Sequence, residues 1–159
     1  MSYEKVQAYF ESVGLGECVS VREEVGDTVE HAAAAIGCEP EQIAKTMSFT
    51  LDGIPILVVC AGDAKIDNAK FKAKFHKKAT MMTWEKVETI IGHQPGAVCP
   101  FALNDGVKVY LDTSLKRFKD IHAAGGSLTS SVHLSLDELV VHSHMLEWVD
   151  VCKGWYINK

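Results

Sequence analysis

The chain has 159 residues, 47% of them hydrophobic and 23% charged, with a formal net charge of −5. This length suits one domain with a sizeable core, and the composition is that of an ordinary soluble globular protein. The acidic balance argues against general nucleic-acid binding, which rests on phosphate neutralisation, without excluding a local basic patch, and no run of about 18 apolar residues offers a membrane span.

The first segment, "MSYEKVQAYFESVG", carries acids early and lacks the basic-then-apolar layout of a signal peptide, so a cytoplasmic location is expected. Residues 3–13 have an amphipathic helical rhythm, with Val6, Tyr9, Phe10 and Val13 on one face, ending near Gly14 and Gly16. "CVSVRE" reads as a short strand. "DTVEHAAAAIG" reads as a helix with Asp27 as N-cap candidate, Glu30 three residues on and a terminating Gly37. A helical turn at "PEQIA" precedes a strand from Lys45 to Leu51. On that strand Lys45, Met47, Phe49 and Leu51 share one face, and Thr46, Ser48 and Thr50 the other. Lys45 thus stands on the apolar parity, either as a strand-end lysine snorkelling to water or as a charge aimed into a cavity.

Asp52-Gly53 predicts a tight primed turn between that strand and Ile54–Ala61, whose nearly continuous apolar run predicts burial on both faces. Asp67 is placed to cap a basic helix, "NAKFKAKFHKK", and Thr83 to cap "WEKVETIIG". "AVCPFAL" and "GVKVYLD" read as strands, Ser114 to Ile121 as a short helix, and "GSLTSSVHLS" as a long alternating strand. "SLDELVVHS" carries a capping box in Ser135 and Glu138, and "LEWVDVC" reads as a last strand. Strands and helices without a regular βαβ rhythm predict a mixed sheet or barrel packed with helices, not a doubly wound parallel sheet.

No GxGxxG, P-loop, HExxH or GxSxG motif occurs. The cysteines (18, 38, 60, 99 and 152) are odd in number and scattered, which suits reduced thiols better than a disulfide framework. Cys99 has no visible Cys/His signature to activate it, so covalent catalysis is not expected. His142 and His144 lack a third ligand in the sequence, so no metal and no other cofactor are expected. The stretch 65–78 holds six lysines (65, 70, 72, 74, 77 and 78) and His76. It is either a solvated helix face or the local basic patch that an RNA contact needs.

Three ordered stretches resemble the YbaK/ProX family of aminoacyl-tRNA deacylases, relatives of the editing domain inserted in bacterial prolyl-tRNA synthetases. They are "TVEHAAAAIGCEPEQIAKTMSF", "CAGDAKIDNAKF", and "GHQPGAVCPFAL" followed by "VYLDTSL" and "AAGG". The likeness runs over roughly residues 20–142, and residues 1–159 are accordingly expected to form a single domain of that kind. It implies an α/β (α+β) fold, a mixed, largely antiparallel barrel-like sheet surrounded by helices. It also implies hydrolysis of the ester in mischarged tRNA(Pro) carrying alanine or cysteine. A second sieve of that sort is needed because a synthetase pocket discriminates one methylene by only about 1–3 kcal/mol.

By the same resemblance Lys45, in its I-x-K-T context, is the functional lysine, and Gly96, Ala97, Val98, Cys99 and Pro100 form the GxxxP loop. Ala97 and Cys99 stand where family members often carry glycine and serine. His31 falls where the pattern places a polar residue facing the pocket; a helix histidine with no ligand contact is the alternative. Asp63 and Lys65, at the end of a buried strand, are substrate contacts or parts of a turn, and Asp112 either orients a neighbour or sits in a solvated loop. Lys70, Lys72, Lys74, Lys77 and Lys78 would meet the acceptor end of tRNA. The partners implied are the CCA end of tRNA and prolyl-tRNA synthetase, with the protein a monomer or weak dimer. A non-catalytic tRNA- or synthetase-binding module and a hydrolase of a small aminoacyl ester are the competing readings.

Overall fold

A computed structural model describes residues 2–26 and 28–155. Helix α1 (Ser2–Ser12) leads into β1 (Val19–Val21) and α2 (Val29–Ile36). The long hairpin β2 (Ala44–Leu51) and β3 (Ile54–Ala61) follows, then β4 (Lys65–Ile66), α3 (Asn68–Phe75) and α4 (Trp84–Ile91). The second half holds β5 (Lys108–Asp112), β6 (Asp120–Ala124), β7 (Ser130–Ser135), α5 (Leu136–His142), β8 (Glu147–Val149) and β9 (Cys152–Lys153).

The strands form a mixed sheet in the order β2-β3-β5-β8, an antiparallel sheet β1-β7-β6, and the small pair β4-β9. In the mixed sheet β2 and β3 are antiparallel, whereas β3-β5 and β5-β8 are parallel. The two larger sheets meet through a bridge between Ile43 and His122 and do not close into a barrel.

The hairpin follows from local chemistry. Asp52 and Gly53 both have positive φ, 52° and 80°, as a primed two-residue turn requires, and the register then runs from Leu51↔Ile54 to Ala44↔Ala61. From Ile56 to Ala61 every residue of β3 is buried, because β2 and β5 flank it and helices cover the sheet. Phe49 on β2 meets Phe71 on α3 with ring centroids 4.9 Å apart. Phe10 on α1 meets Phe101 at 5.0 Å, and each such burial contributes about 1.5–3 kcal/mol.

Asp67 caps α3 by accepting from the N–H groups of Ala69 and Lys70. Ser135 and Glu138 form the reciprocal capping box of α5. Ser135→Ala is expected to lower stability by about 1 kcal/mol, read as a shift of the urea midpoint with unchanged slope. Helix α2 is capped by Thr28, whose hydroxyl accepts from the His31 N–H; the candidate cap Asp27 lies outside the described residues.

Four segments differ from the sequence expectation. Ser114 to Ile121 is not one helix: a single 3-10 turn over Thr113–Arg117 gives way to β6 at Asp120, where the chain pairs with β7. The residues of "AVCPFAL" form no strand, since Gly96 and Ala102 take left-handed φ of 88° and 52° and Pro100 has no N–H to give a ladder. The strand expected over "GSLTSSVHLS" begins only at Ser130, because Ser127 and Ser130 close a turn on one another. "LEWVDVC" divides into β8 and β9. At the break, the Val151 N–H donates to Asp112 Oδ1 and the Val151 carbonyl accepts from the Asp67 N–H.

Candidate functional site

A cavity of about 270 Å³ opens between the start of β2, one face of α2, the entry to α4, loop 95–98 and strand β6. Helix α2 turns Val29, Ala32 and Ile36 toward it, the i, i+3, i+7 spacing of one helical face. Strand β2 contributes Ala44 to Ser48, and Met81, Met82, Trp84 and Val87 form an apolar side. Trp84 is 72% exposed and Met81 54%, so the rim on that side is an open apolar surface.

Lys45 lines this cavity. Its Nζ lies 3.5 Å from the Gly62 carbonyl oxygen, at the outer limit of a hydrogen bond. Among the described residues no carboxylate pairs with it. Gly62 itself is confined: a Cβ there would stand 2.0 Å from the Pro40 carbonyl oxygen, so the residue that receives Lys45 has to be glycine.

Arg22 lines the same cavity, and nothing in its sequence context had marked it. Its Nε and Nη1 are buried without a hydrogen-bond partner, while Nη2 reaches the Leu128 carbonyl at 3.5 Å. Burial lowers its pKa from the ordinary value, with Glu24 acting in the opposite direction; a guanidinium nonetheless remains charged. Both cations thus face one cavity whose described lining contains no aspartate or glutamate, on a protein of net charge −5. His122 is the imidazole of the lining. Burial first, then the neighbouring His133, hold its pKa below the usual histidine value, against the pull of Asp120, which favours the neutral ring with a lone pair available.

Of the GxxxP loop, Gly96 and Val98 line the cavity, whereas Ala97, Cys99 and Pro100 are buried behind that surface. Cys99 Sγ stands 3.4 Å from His93 Nε2, a contact that resembles a thiol–imidazole pair. That nitrogen lies 2.6 Å from the Phe101 carbonyl oxygen and must carry a proton to bond it, so it cannot accept one from the thiol. Burial pushes the Cys99 thiol up to about 12, and the residue packs in the core.

The remaining predicted site residues lie outside the cavity lining. His31 is exposed one position off the α2 face that borders it. Asp63 makes a two-pronged ion pair with Arg117, and Lys65 is exposed on β4 opposite Lys153. Asp112 is fully buried and accepts from the N–H groups of Ser114 and Val151, both at 2.9 Å. Several lysines of the basic stretch engage acids: Lys70 with Asp150, Lys74 with Glu147 and Lys77 with Asp52. Lys72 and Lys78 are exposed.

Arg22 and His122 escaped the sequence reading because single residues in unremarkable contexts carry no periodic signal. The only available hint for His122 was its place immediately before the "AAGG" stretch.

The profile of the family described as the aminoacyl-tRNA editing domain matches residues 23–141. The uncharacterized protein YwhH of Bacillus subtilis (strain 168) is 43% identical over 156 residues, covering 98% of this chain and 99% of that protein. A proline–tRNA ligase of Bacillus licheniformis is 26% identical over 125 residues, 78% of this chain but only 22% of the ligase; the chain thus spans about a fifth of that enzyme's length. Among solved structures, a candidate trans-editing enzyme for prolyl tRNA synthetase superposes with a TM-score of 0.86 at 27% identity, covering 96% of this chain and 98% of the other. No helix among the described residues is long and apolar enough to cross a membrane. A profile match across about three quarters of the sequence, a mixed α/β fold shared with a candidate editing enzyme, and a cation-lined cavity agree on one assignment: the chain belongs to the aminoacyl-tRNA editing domain family.

Proposed function

We propose that the protein is a cytoplasmic trans-editing deacylase that hydrolyses the ester of mischarged tRNA(Pro), releasing alanine or cysteine. One observation carries this reading: Lys45 and Arg22 face a small cavity whose described lining holds no carboxylate. Such a cavity favours a ligand bearing phosphate and an ester carbonyl over a cationic one. Its volume of about 270 Å³ lies just below the usual range for small-molecule sites, about 300–1,000 Å³, and so suits a small aminoacyl group at the end of a chain that continues outside.

In this reading the CCA end of tRNA enters past the rim. Trp84, 72% exposed there, offers a face on which the terminal base stacks, an interaction of about 1–3 kcal/mol per base. The Lys45 ammonium bonds a terminal phosphate or the carbonyl oxygen, and the loop lies against the carbonyl through Gly96 and Val98, backed by Ala97, Cys99 and Pro100. Water adds to the ester carbon, the negative charge develops on the oxygen that these donors face, and the intermediate expels the ribose oxygen, which leaves as a hydroxyl. The proton of the attacking water is relayed to the departing ribose oxygen through a substrate group, the neighbouring ribose hydroxyl or the thiol of cysteine, which gives up its own proton as it takes the water's. Lys70, Lys72, Lys74, Lys77 and Lys78 would meet the acceptor arm, which must then compete with Asp150, Glu147 and Asp52 for three of them. His31, Asp63, Lys65 and Asp112 would act from the surrounding shell.

The test is incubation of the protein with Ala-, Cys- and Pro-charged tRNA(Pro), with ester loss followed over time. Rapid loss from Ala- or Cys-tRNA(Pro) and sparing of Pro-tRNA(Pro) is the expected result. Absence of turnover with all of these substrates would remove the proposal.

A further inference from the structure

Asp120 and His122 leave β6 on one face, two residues apart, and His133 on β7 stands in register opposite His122. The two imidazole rings stack with centroids 4.2 Å apart and planes inclined by 13°. Asp120 Oδ2 is hydrogen-bonded to His133 Nε2. One donor atom from each of the three side chains lies within 4.8 Å of the other two. Donors around a tetrahedral zinc ion, each about 2.0–2.2 Å from it, stand roughly 3.4 Å from one another. The ligating lone pairs lie in the ring planes, so closing the set takes rotation of the His122 and His133 rings out of their near-parallel stack.

We propose that Asp120, His122 and His133 form a binding site for a divalent transition-metal ion of the zinc class. Two imidazoles and a carboxylate are borderline donors, which favour zinc and its neighbours; magnesium and calcium take all-oxygen sets. A surface ion pair would use Asp120 and His133 alone. The strand register adds the His122 ring and so brings a third ligand of the same set to the point where the pair meets. The ion takes the place of the proton held between Oδ2 and Nε2; the ring keeps one proton, on Nδ1, and any second proton passes to solvent. Because His122 also lines the cavity, the ion is tied to the wall of the candidate active site through this ring.

The experiment is a titration of the full chain with Zn²⁺ against a metallochromic chelator, repeated with Co²⁺ and read by visible absorption. Expected are one equivalent of Zn²⁺ per chain and a Co²⁺ ligand-field band. His133→Ala and Asp120→Asn should each weaken Zn²⁺ binding by about tenfold or more and remove the band. The His133 side chain is 52% exposed and Asp120 46%, so both variants should keep the far-UV spectrum of the parent protein, and either one suffices for the test. Cys38→Ser and His144→Ala, which alter other accessible ligands, should bind as the parent does. The site is overturned by any of three results: no stoichiometric binding by the parent, equal binding by His133→Ala, or loss of binding in Cys38→Ser or His144→Ala. These readouts do not involve tRNA, so they stand or fall apart from the deacylase reading.

Discussion

Lys45→Ala is expected to lower the rate of ester loss from mischarged tRNA(Pro) by about 10²–10³-fold, the loss typical when one donor to a developing oxyanion is removed. The protein should remain folded. Lys45 is half-buried at the start of β2, and among the described residues its one polar contact is the long approach to the Gly62 carbonyl. Removing it gives up at most that one long hydrogen bond, so a change in stability of under about 1 kcal/mol is expected. The same sparse bonding makes the ammonium available, because an amine already satisfied by a carboxylate would have to break that pair before meeting substrate. Single-turnover deacylation together with circular dichroism decides the matter. A folded variant with undiminished turnover would mean that Lys45 neither holds the carbonyl nor the phosphate.

Asp112→Ala is expected to lower stability by about 2–5 kcal/mol, a large fraction of the 5–15 kcal/mol typical of a domain. The Asp112 carboxylate is fully buried at the junction of β5, the turn 113–117 and the break between β8 and β9. Its Oδ2 accepts from the Ser114 N–H and its Oδ1 from the Val151 N–H. Alanine would leave both donors buried and unpaired, at about 1–3 kcal/mol each. Asp112→Asn, with a single acceptor oxygen, should fall between alanine and the parent protein. Chemical unfolding of the three proteins gives the ranking. A midpoint for Asp112→Ala equal to that of the parent would contradict a structural role for the carboxylate and return attention to substrate contact.

Much of the architecture was legible from local signals. The Asp52-Gly53 dipeptide defined a hairpin because few residue pairs accept positive φ in succession, and the apolar run Ile54–Ala61 announced a central strand. The Ser135–Glu138 box and the Asp67 cap were readable because capping is an exchange between side chain and backbone within a few residues. Lys45 was legible too, since alternation alone set it on the apolar side of β2. Residues 97–103 read as a strand because their composition is strand-like, while the backbone there is governed by left-handed Gly96 just before them, by left-handed Ala102 and by Pro100. Nor did the sequence separate the inward half of the GxxxP stretch from the half that reaches the cavity.

The amino-acid order by itself determined what is decided within about ten residues: the caps, the hairpin, the buried strand and the odd placement of Lys45. Its ordered motifs also carried the resemblance that the family profile bears out. Only the tertiary structure decided what surrounds that lysine. Arg22 is 23 positions before it and His122 is 77 after it, yet all three line one cavity. His122 and His133 meet because β6 and β7 pair in one register, and Asp112 is buried because Val151 folds back onto it. Pairing register and sheet packing are collective outcomes of many weak apolar contacts. A site built across them is therefore written in no single stretch of the chain.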